Sequence, residues 1–370
     1  MGRAAVLAAV GQPLEMRDDV EVEAPHPGEV RVRMVAAGVC HSDLSMCDGT
    51  LMAPMPIVLG HEGAGVVDCV GEGVTRVQPG DRVVISWVPQ CGDCFFCLRR
   101  QGHLCERANA AIASGGLLDG TTRLRSRGAQ LHQMSAAGTF ADLTVVPECG
   151  VVQVDDDLDL GLASLLGCGV LTGIGAATRT ADIKPGDTVA VLGCGGVGLN
   201  VVQGARIAGA DGIIAVDTNR AKLELAERFG ATATVDASAG DPVSVLMQLT
   251  GQRGADVVFE VIGLPRTIDQ AVTMTRRGGQ TVLVGIPRMD TMLNLPAFLG
   301  VVLAAKTITG CWYGSSNVLE DIPALMDLHR KGELELAALV TGTVALEDVN
   351  PALDALRSGE VTRTLIRFPD

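Results

Sequence analysis

An apolar run, Thr188-Val189-Ala190-Val191-Leu192, breaks directly into Gly193-Cys194-Gly195-Gly196-Val197-Gly198, and a helix-length segment follows to about Ala208. Few local patterns restrict a fold more. A buried strand that enters a glycine turn and leaves as a helix opens a parallel βαβ unit. The first glycine permits the tight turn, the second admits a pyrophosphate close to the backbone, and the third lets helix and strand pack closely. Free N–H groups at the helix start then face the phosphates.

The next strand pattern, Ile213-Ile214-Ala215-Val216, ends at Asp217, 19 residues after Gly198. A carboxylate there accepts hydrogen bonds from the adenosine ribose hydroxyls and repels a 2′-phosphate, so NAD is expected rather than NADP. Lys222 adds a second expected ribose contact. A helix is predicted from Arg220 to Phe229, and further strands at Val257-Val258-Phe259-Glu260-Val261 and Thr281-Val282-Leu283-Val284. Alternating strands and helices predict a doubly wound parallel sheet, the Rossmann arrangement, over residues 161–311.

Residues 1–160 read differently. Short β-type runs such as Val30-Arg31-Val32-Arg33-Met34-Val35 and Arg82-Val83-Val84-Ile85 are bounded by turn signals, among them Pro27-Gly28 and Pro79-Gly80-Asp81. They predict a β-rich, barrel-like domain with long loops, to which residues 312–370 return. The class is therefore α/β, with the nucleotide domain inserted into the β-rich one. At 370 residues both cores are affordable.

Four cysteines fall in one loop, Cys91, Cys94, Cys97 and Cys105, spaced C-x2-C-x2-C-x7-C. Four thiolates so close suit a tetrahedral zinc with no position left for substrate, hence a structural ion. A second set of soft side chains is scattered: Cys40 in Gly38-Val39-Cys40-His41-Ser42-Asp43, His61 in Leu59-Gly60-His61-Glu62-Gly63-Ala64-Gly65, and Cys168 in Leu166-Gly167-Cys168-Gly169. Any one alone reads as a core residue. Three ligands with a fourth position open would be a catalytic zinc. The other five cysteines, Cys47, Cys69, Cys149, Cys194 and Cys311, read as small buried hydrophobes.

Taken together, the segments GVCHSD, GHEGAGVV, LLGCGVLTG, GCGGVG and SGEVTRTLIRF resemble the zinc-dependent alcohol dehydrogenases of the medium-chain dehydrogenase/reductase superfamily. The linker from about 106 to 139, with Asp119-Gly120-Thr121-Thr122-Arg123, resembles the long-looped members. The resemblance implies a GroES-like catalytic domain beside the Rossmann domain. It implies catalytic-zinc ligands at Cys40, His61 and Cys168, with Glu62 beside the metal and Asp43 orienting the imidazole. Ser42 would hydrogen-bond the substrate oxygen and His41 would lie near the pyrophosphate. Thr172 would sit by the nicotinamide, Ile286 would join the cofactor site, and Arg363 would meet the pyrophosphate. Leu51, Trp87, Met134 and Ile286 would line the substrate pocket. That apolar lining predicts a hydrophobic primary alcohol or aldehyde, with Trp87 disfavouring branches near the metal. One position departs: many relatives carry a histidine five residues after the first zinc cysteine, where this chain has Ser45. A serine hydroxyl has no pKa suited to general-base work near neutrality, so either the proton leaves by ribose hydroxyls and water, or His41 helps, or the enzyme runs mainly as a reductase at lower pH.

The expected reaction is reversible hydride transfer between NAD and an alcohol, in a cleft between the domains. A thiol-adduct formaldehyde dehydrogenase, a conjugate reductase of unsaturated carbonyls and a silent NAD-binding zinc protein are the alternatives. Two zinc ions per chain are expected, and the resemblance implies a homodimer joined through the nucleotide domain; the apolar segment Leu299 to Ile308 is either its contact or an interior helix and strand. The net charge of -14 argues against nucleic acid. There is no apolar stretch long enough for a membrane span and no secretory pattern, and eleven cysteines point to a reducing compartment, so a cytoplasmic location is expected.

Overall fold

The structure is a computed structural model that describes residues 1–369. The chain divides into two compact units, Met1–Gly169 with Asn317–Asp370, and Val170–Ser316.

Ten strands precede the insertion: β1 (Gly2–Leu7), β2 (Glu15–Val22), β3 (Glu29–Val39), β4 (Ile57–Val58), β5 (Glu62–Val70), β6 (Arg82–Ile85), β7 (Leu124–Ser126), β8 (Ala129–Gln133), β9 (Leu143–Pro147) and β10 (Val151–Gln153). The inserted unit carries β11 (Thr188–Leu192), β12 (Gly212–Asp217), β13 (Ala233–Asp236), β14 (Ala255–Glu260), β15 (Thr275–Leu283) and β16 (Thr307–Gly310). The returning segment adds β17 (Val340–Val344) and β18 (Arg363–Arg367).

In the first unit β1, β2, β7, β8 and β4 close a barrel, and a seven-stranded sheet runs β10-β6-β5-β3-β18-β17 with β9 also paired to β3. Strand β3 spans 11 residues and is buried along most of its length, as a strand flanked by β5, β9 and β18 must be. Its Val32 and Met34 meet Leu59, Ile85 and Phe140 in the core, and the returning segment adds Val349 and Leu353. Strand β18 lies antiparallel to β3 with Thr364 opposite Val39. That register places Arg363 beside the residue where β3 ends and Cys40 begins the next element.

The second unit is a six-stranded parallel sheet ordered β13-β12-β11-β14-β15-β16. Ala190, Leu192, Ile214, Val216 and Val258 form its core. Apolar strands of this kind arise where both sheet faces are covered. Helices at Gly196–Ile207 and Arg220–Phe229 follow β11 and β12, and the latter is capped by the Asn219 side chain on Ala221 N–H and stopped by Gly230 at φ 117°. The expected domain boundary near residue 160 falls at the helix Leu160–Ser164, whereas the units divide after Gly169: that helix packs on β3, β5 and β6 of the first unit. Among the described residues no single helix is long and apolar enough to cross a membrane.

Candidate active site

Where β3 ends, Cys40 caps the short helix α1 (His41–Cys47). Asp43, in its first turn, is fully buried. One of its oxygens accepts the Cys40 N–H at 2.9 Å. The other accepts the Gly60 N–H at 3.2 Å and lies 3.1 Å from His61 Nδ1. A single carboxylate thus fixes the backbone of one candidate ligand and the ring of another. With the Nδ1 proton given to Asp43, the lone pair of His61 is on Nε2. That atom is buried and has no hydrogen-bond partner among the described residues.

Cys40, His61, Glu62 and Cys168 offer ligand atoms that all lie within 4.8 Å of one another, and all four residues are buried. The Cys168 thiol donates towards Cys40 and, with Arg363 and His61 nearby, holds the Cys40 thiol well below its usual range, while Cys168 itself is pushed up. Burial works against a charged His61, yet Asp43 and Cys40 overrule it and raise its pKa. The pocket favours positive charge at its centre. The orphaned Nε2, two soft sulfurs and this negative field fit zinc.

Glu62 is fully buried. Its Oε1 accepts the Gly169 N–H at 3.1 Å and lies 3.2 Å from Arg363 Nη2. Burial pushes the Glu62 carboxyl up to about 7, against the opposing charge of Arg363. Arg363 also donates to the Val39 carbonyl at 3.3 Å and is only 4 % exposed. Its guanidinium is therefore engaged beside the ligand cluster.

The remaining residues of the first unit gather less tightly. Ser42 is half-buried, with Oγ 3.9 Å from Cys40 Sγ, and His41 is exposed. Ser45 is buried. Trp87 stands edge-on to His61 at 6.3 Å between ring centroids and is 9 % exposed. Leu51 packs half-buried against the core, and Met134 belongs to that core.

The second cysteine set is equally compact: Cys91, Cys94, Cys97 and Cys105 also lie within 4.8 Å of one another. Burial raises the Cys94 thiol, but the N–H groups of Cys97 and Glu106 aimed at its sulfur bring it down to about 6. A third grouping, His26, Glu29 and Asp119, is filled by the protein itself. Arg123, 1 % exposed, places Nη2 at 2.6 Å from both Glu29 and Asp119.

In the second unit the glycine-rich turn joins β11 to the helix Gly196–Ile207, here α2, with Gly195 as its cap. A Cβ on Gly198 would run into the Gly193 carbonyl, whereas a Cβ on Gly195 would meet nothing within 4 Å. The third glycine serves packing and the second faces open space, as a phosphate at the helix start requires. Asp217, half-buried at the end of β12, accepts the Cys194 N–H at 2.7 Å and the Asn219 N–H at 2.8 Å. Each carboxylate oxygen keeps a lone pair for a further donor. Lys222, Thr172 and Val197 are half-buried in this unit, and Ile286 is 37 % exposed. Sequence reasoning passed over Glu260, whose signal was a lone carboxylate closing the apolar run Val257-Val258-Phe259.

Comparison with known proteins follows the same division. The family description "Alcohol dehydrogenase GroES-like domain" matches residues 26–156, and "Zinc-binding dehydrogenase" matches 196–331. The chain is 39 % identical over 370 residues to the S-(hydroxymethyl)glutathione dehydrogenase of Synechocystis sp., covering 99 % of each. Among solved structures, an alcohol dehydrogenase zinc-binding domain protein from Burkholderia ambifaria superposes with a TM-score of 0.94 at 36 % identity, covering 100 % of this chain and 99 % of that one. Benzyl alcohol dehydrogenase from Acinetobacter calcoaceticus superposes with a TM-score of 0.93 at 31 % identity, covering 100 % and 99 %. Fold, site and relatives together define an oxidoreductase that acts on CH–OH groups with zinc and a nicotinamide cofactor. The chain belongs to the zinc-dependent alcohol dehydrogenase family of the medium-chain dehydrogenase/reductase superfamily.

Proposed function

We propose that this enzyme transfers hydride reversibly between NAD and a hydrophobic primary alcohol or aldehyde, with a catalytic zinc held by Cys40, His61 and Cys168 and a structural zinc held by Cys91, Cys94, Cys97 and Cys105. The observation that carries the reading is His61, buried, with Nδ1 fixed by Asp43 and Nε2 left without a partner among the described residues. Zinc, when bound, supplies Lewis acidity towards the substrate oxygen. Ser42, whose hydroxyl lies beside Cys40 on the first turn of α1, would accept the substrate's proton only as it passes its own hydroxyl proton on, acting as a relay and not as a base. Ser45 is buried and offers no base, so the proton reaches solvent through ribose hydroxyls, water or the exposed His41. Glu62 and Arg363 balance charge around the ligand thiols. Asp217 selects NAD by accepting the ribose hydroxyls, Lys222 supports it, and Gly193, Gly195, Gly196, Val197 and Gly198 cradle the pyrophosphate. Thr172 and Ile286 attend the nicotinamide, and Leu51, Trp87 and Met134 shape the substrate side.

The Synechocystis relative's name favours a second reading, oxidation of a thiol adduct of formaldehyde. Turnover of a panel of aliphatic, allylic and benzylic alcohols with NAD, and of formaldehyde with and without a low-molecular-weight thiol, separates the two. Rates that appear only with formaldehyde and thiol overturn the first reading. A cytoplasmic homodimer completes the proposal. Met289, Met292, Leu293, Phe298, Leu299 and Val302 are exposed apolar residues on one stretch of the second unit, and apolar exposure of this kind, where contiguous, marks interaction surfaces. Sedimentation at the mass of one chain would refute it.

A further inference from the structure

The carboxyl of Glu260 has no role in the chemistry above, yet it is fully buried at the carboxyl end of β14. In the second unit the sheet winds from β11 through β12 to β13, then resumes from β14 on the other side of β11. Ligands of doubly wound sheets lie outside the strand ends at such a reversal. Leu192 of β11 and Glu260 of β14 are paired there, and Val261 donates its N–H to the Leu192 carbonyl at 2.9 Å.

Glu260 holds two turns of this edge at once. Its Oε1 accepts the N–H of Ile262 at 3.0 Å, the N–H of Gly263 at 2.8 Å and the Thr267 hydroxyl at 2.7 Å. Its main-chain carbonyl accepts the N–H groups of Val284 at 2.8 Å and Gly285 at 2.9 Å. The two turns are in backbone contact: Gly263 has φ 88°, and a Cβ there would lie 2.5 Å from the Ile286 carbonyl oxygen. On the other side, a Cβ on Gly193 would lie 2.6 Å from Ile262 Cγ1. The Ile262–Gly263 turn is thus wedged between the glycine-rich turn and the turn after β15. It presents Ile262, 42 % exposed, next to Ile286, 37 % exposed. The second carboxyl oxygen, Oε2, is buried without a hydrogen-bond partner among the described residues. Burial raises the Glu260 pKa, opposed by the three donors. A buried, half-satisfied carboxyl costs stability, and a cost of this kind is kept where a local geometry must be held.

We propose that Glu260 is a positioning residue for the dinucleotide: by fixing the Ile262–Gly263 turn it sets the apolar wall, Ile262 with Ile286, on which a ring of the bound coenzyme packs. The inference rests on the reading of a dinucleotide at the glycine-rich turn and extends it to the opposite side of the same edge.

The test is NADH binding, followed by fluorescence titration with thermal midpoints, for the wild-type protein and for Glu260→Gln, Glu260→Ala and Thr267→Val. Glutamine keeps an oxygen that accepts all three hydrogen bonds, so Glu260→Gln binds NADH within about threefold of wild type, while Glu260→Ala weakens binding about tenfold or more. Thr267→Val removes one of the three bonds and weakens binding about threefold, with kcat at saturating NAD unchanged. Wild-type affinity in Glu260→Ala, or equal losses in the glutamine and alanine variants that track their loss of thermal stability, overturns the positioning role. If the alanine variant does not fold, unaltered affinity in Thr267→Val overturns it instead. A wild-type protein that binds no NADH overturns the dinucleotide reading along with it.

Discussion

Asp43 Oδ1 lies 3.1 Å from His61 Nδ1, with both side chains shut off from solvent. The same carboxylate accepts the Cys40 and Gly60 N–H groups, so two candidate ligands from different elements are aligned by one residue. Replacing Asp43 with Ala releases both. Zinc affinity at this site is expected to fall about 10–100-fold, the usual effect of removing a carboxylate behind a ligating imidazole, while the four-cysteine site keeps its ion. Chelator competition with metal counted per chain would show one weakened ion of two. Loss of both, or of neither, contradicts the assignment.

Arg363 and Glu62 are buried together with Nη2 3.2 Å from Oε1. Arg363→Ala leaves a carboxyl in the core without its cation, which destabilises a protein by about 3–5 kcal/mol. Urea unfolding should reveal that loss in the first unit. Double replacement with Glu62→Gln should recover part of it, because the orphaned charge is gone as well.

The four-cysteine loop predicts a chemical signature. Cys91, Cys94, Cys97 and Cys105 are free thiols clustered on a lobe with three of the four partly exposed. Stripping metal should make these thiols react rapidly with a disulfide reagent and open residues 91–105 to proteolysis. Protection that survives chelation would argue against a metal clip.

Acid stability has a named contributor. Burial raises the Asp119 carboxyl, but the hydrogen bond from Arg123, with those from Thr121, holds it at about 2 against an ordinary 3.8. A carboxyl depressed by folding stabilises above its unfolded pKa and loses that contribution as pH falls through the folded one. The window is therefore pH 4 to 2. Asp119→Asn should flatten the fall in stability across it, and because Asp119 is half-exposed the change is expected to be small. An unaltered acid profile would show that the pair contributes nothing.

Coenzyme choice should follow Asp217. Asp217→Ser removes the charge that opposes a 2′-phosphate, and the ratio of kcat/KM for NADP over NAD should rise about tenfold or more, equivalent to about 1.4 kcal/mol. A ratio that does not move would assign discrimination elsewhere.

Much of the architecture is local and so is written locally. Thr188 to Gly198 declares strand, turn and helix in consecutive residues, and β11 and α2 occupy those positions. The four cysteines share one loop and their spacing alone suggests a tetrahedron. Cys40, His61 and Cys168 are far apart in the chain and each looks like an interior residue; only the family resemblance joins them, and the fold does so physically through the ends of β3 and β5 and the turn before Gly169. Arg123 was visible as a loop residue but its burial between Glu29 and Asp119 was not, since nothing in the sequence says which strands will meet. Glu260 was hidden for a related reason. It stands inside the strand pattern Val257 to Val261, and nothing local shows that the neighbouring turns will close over its side chain.

The hydrogen bond from Arg363 to Val39 spans 324 residues. During synthesis, Cys40, His61 and Cys168 all leave the ribosome before Arg363, the last of them by 195 positions. At about 5–20 residues per second that interval is roughly 10–40 s. For that time the three prospective ligands exist as a nascent chain whose β3 lacks its β18 neighbour and whose Glu62 lacks its cation. An ion held by these three side chains would be closed in only once β18 had paired with β3 and Arg363 had reached Glu62.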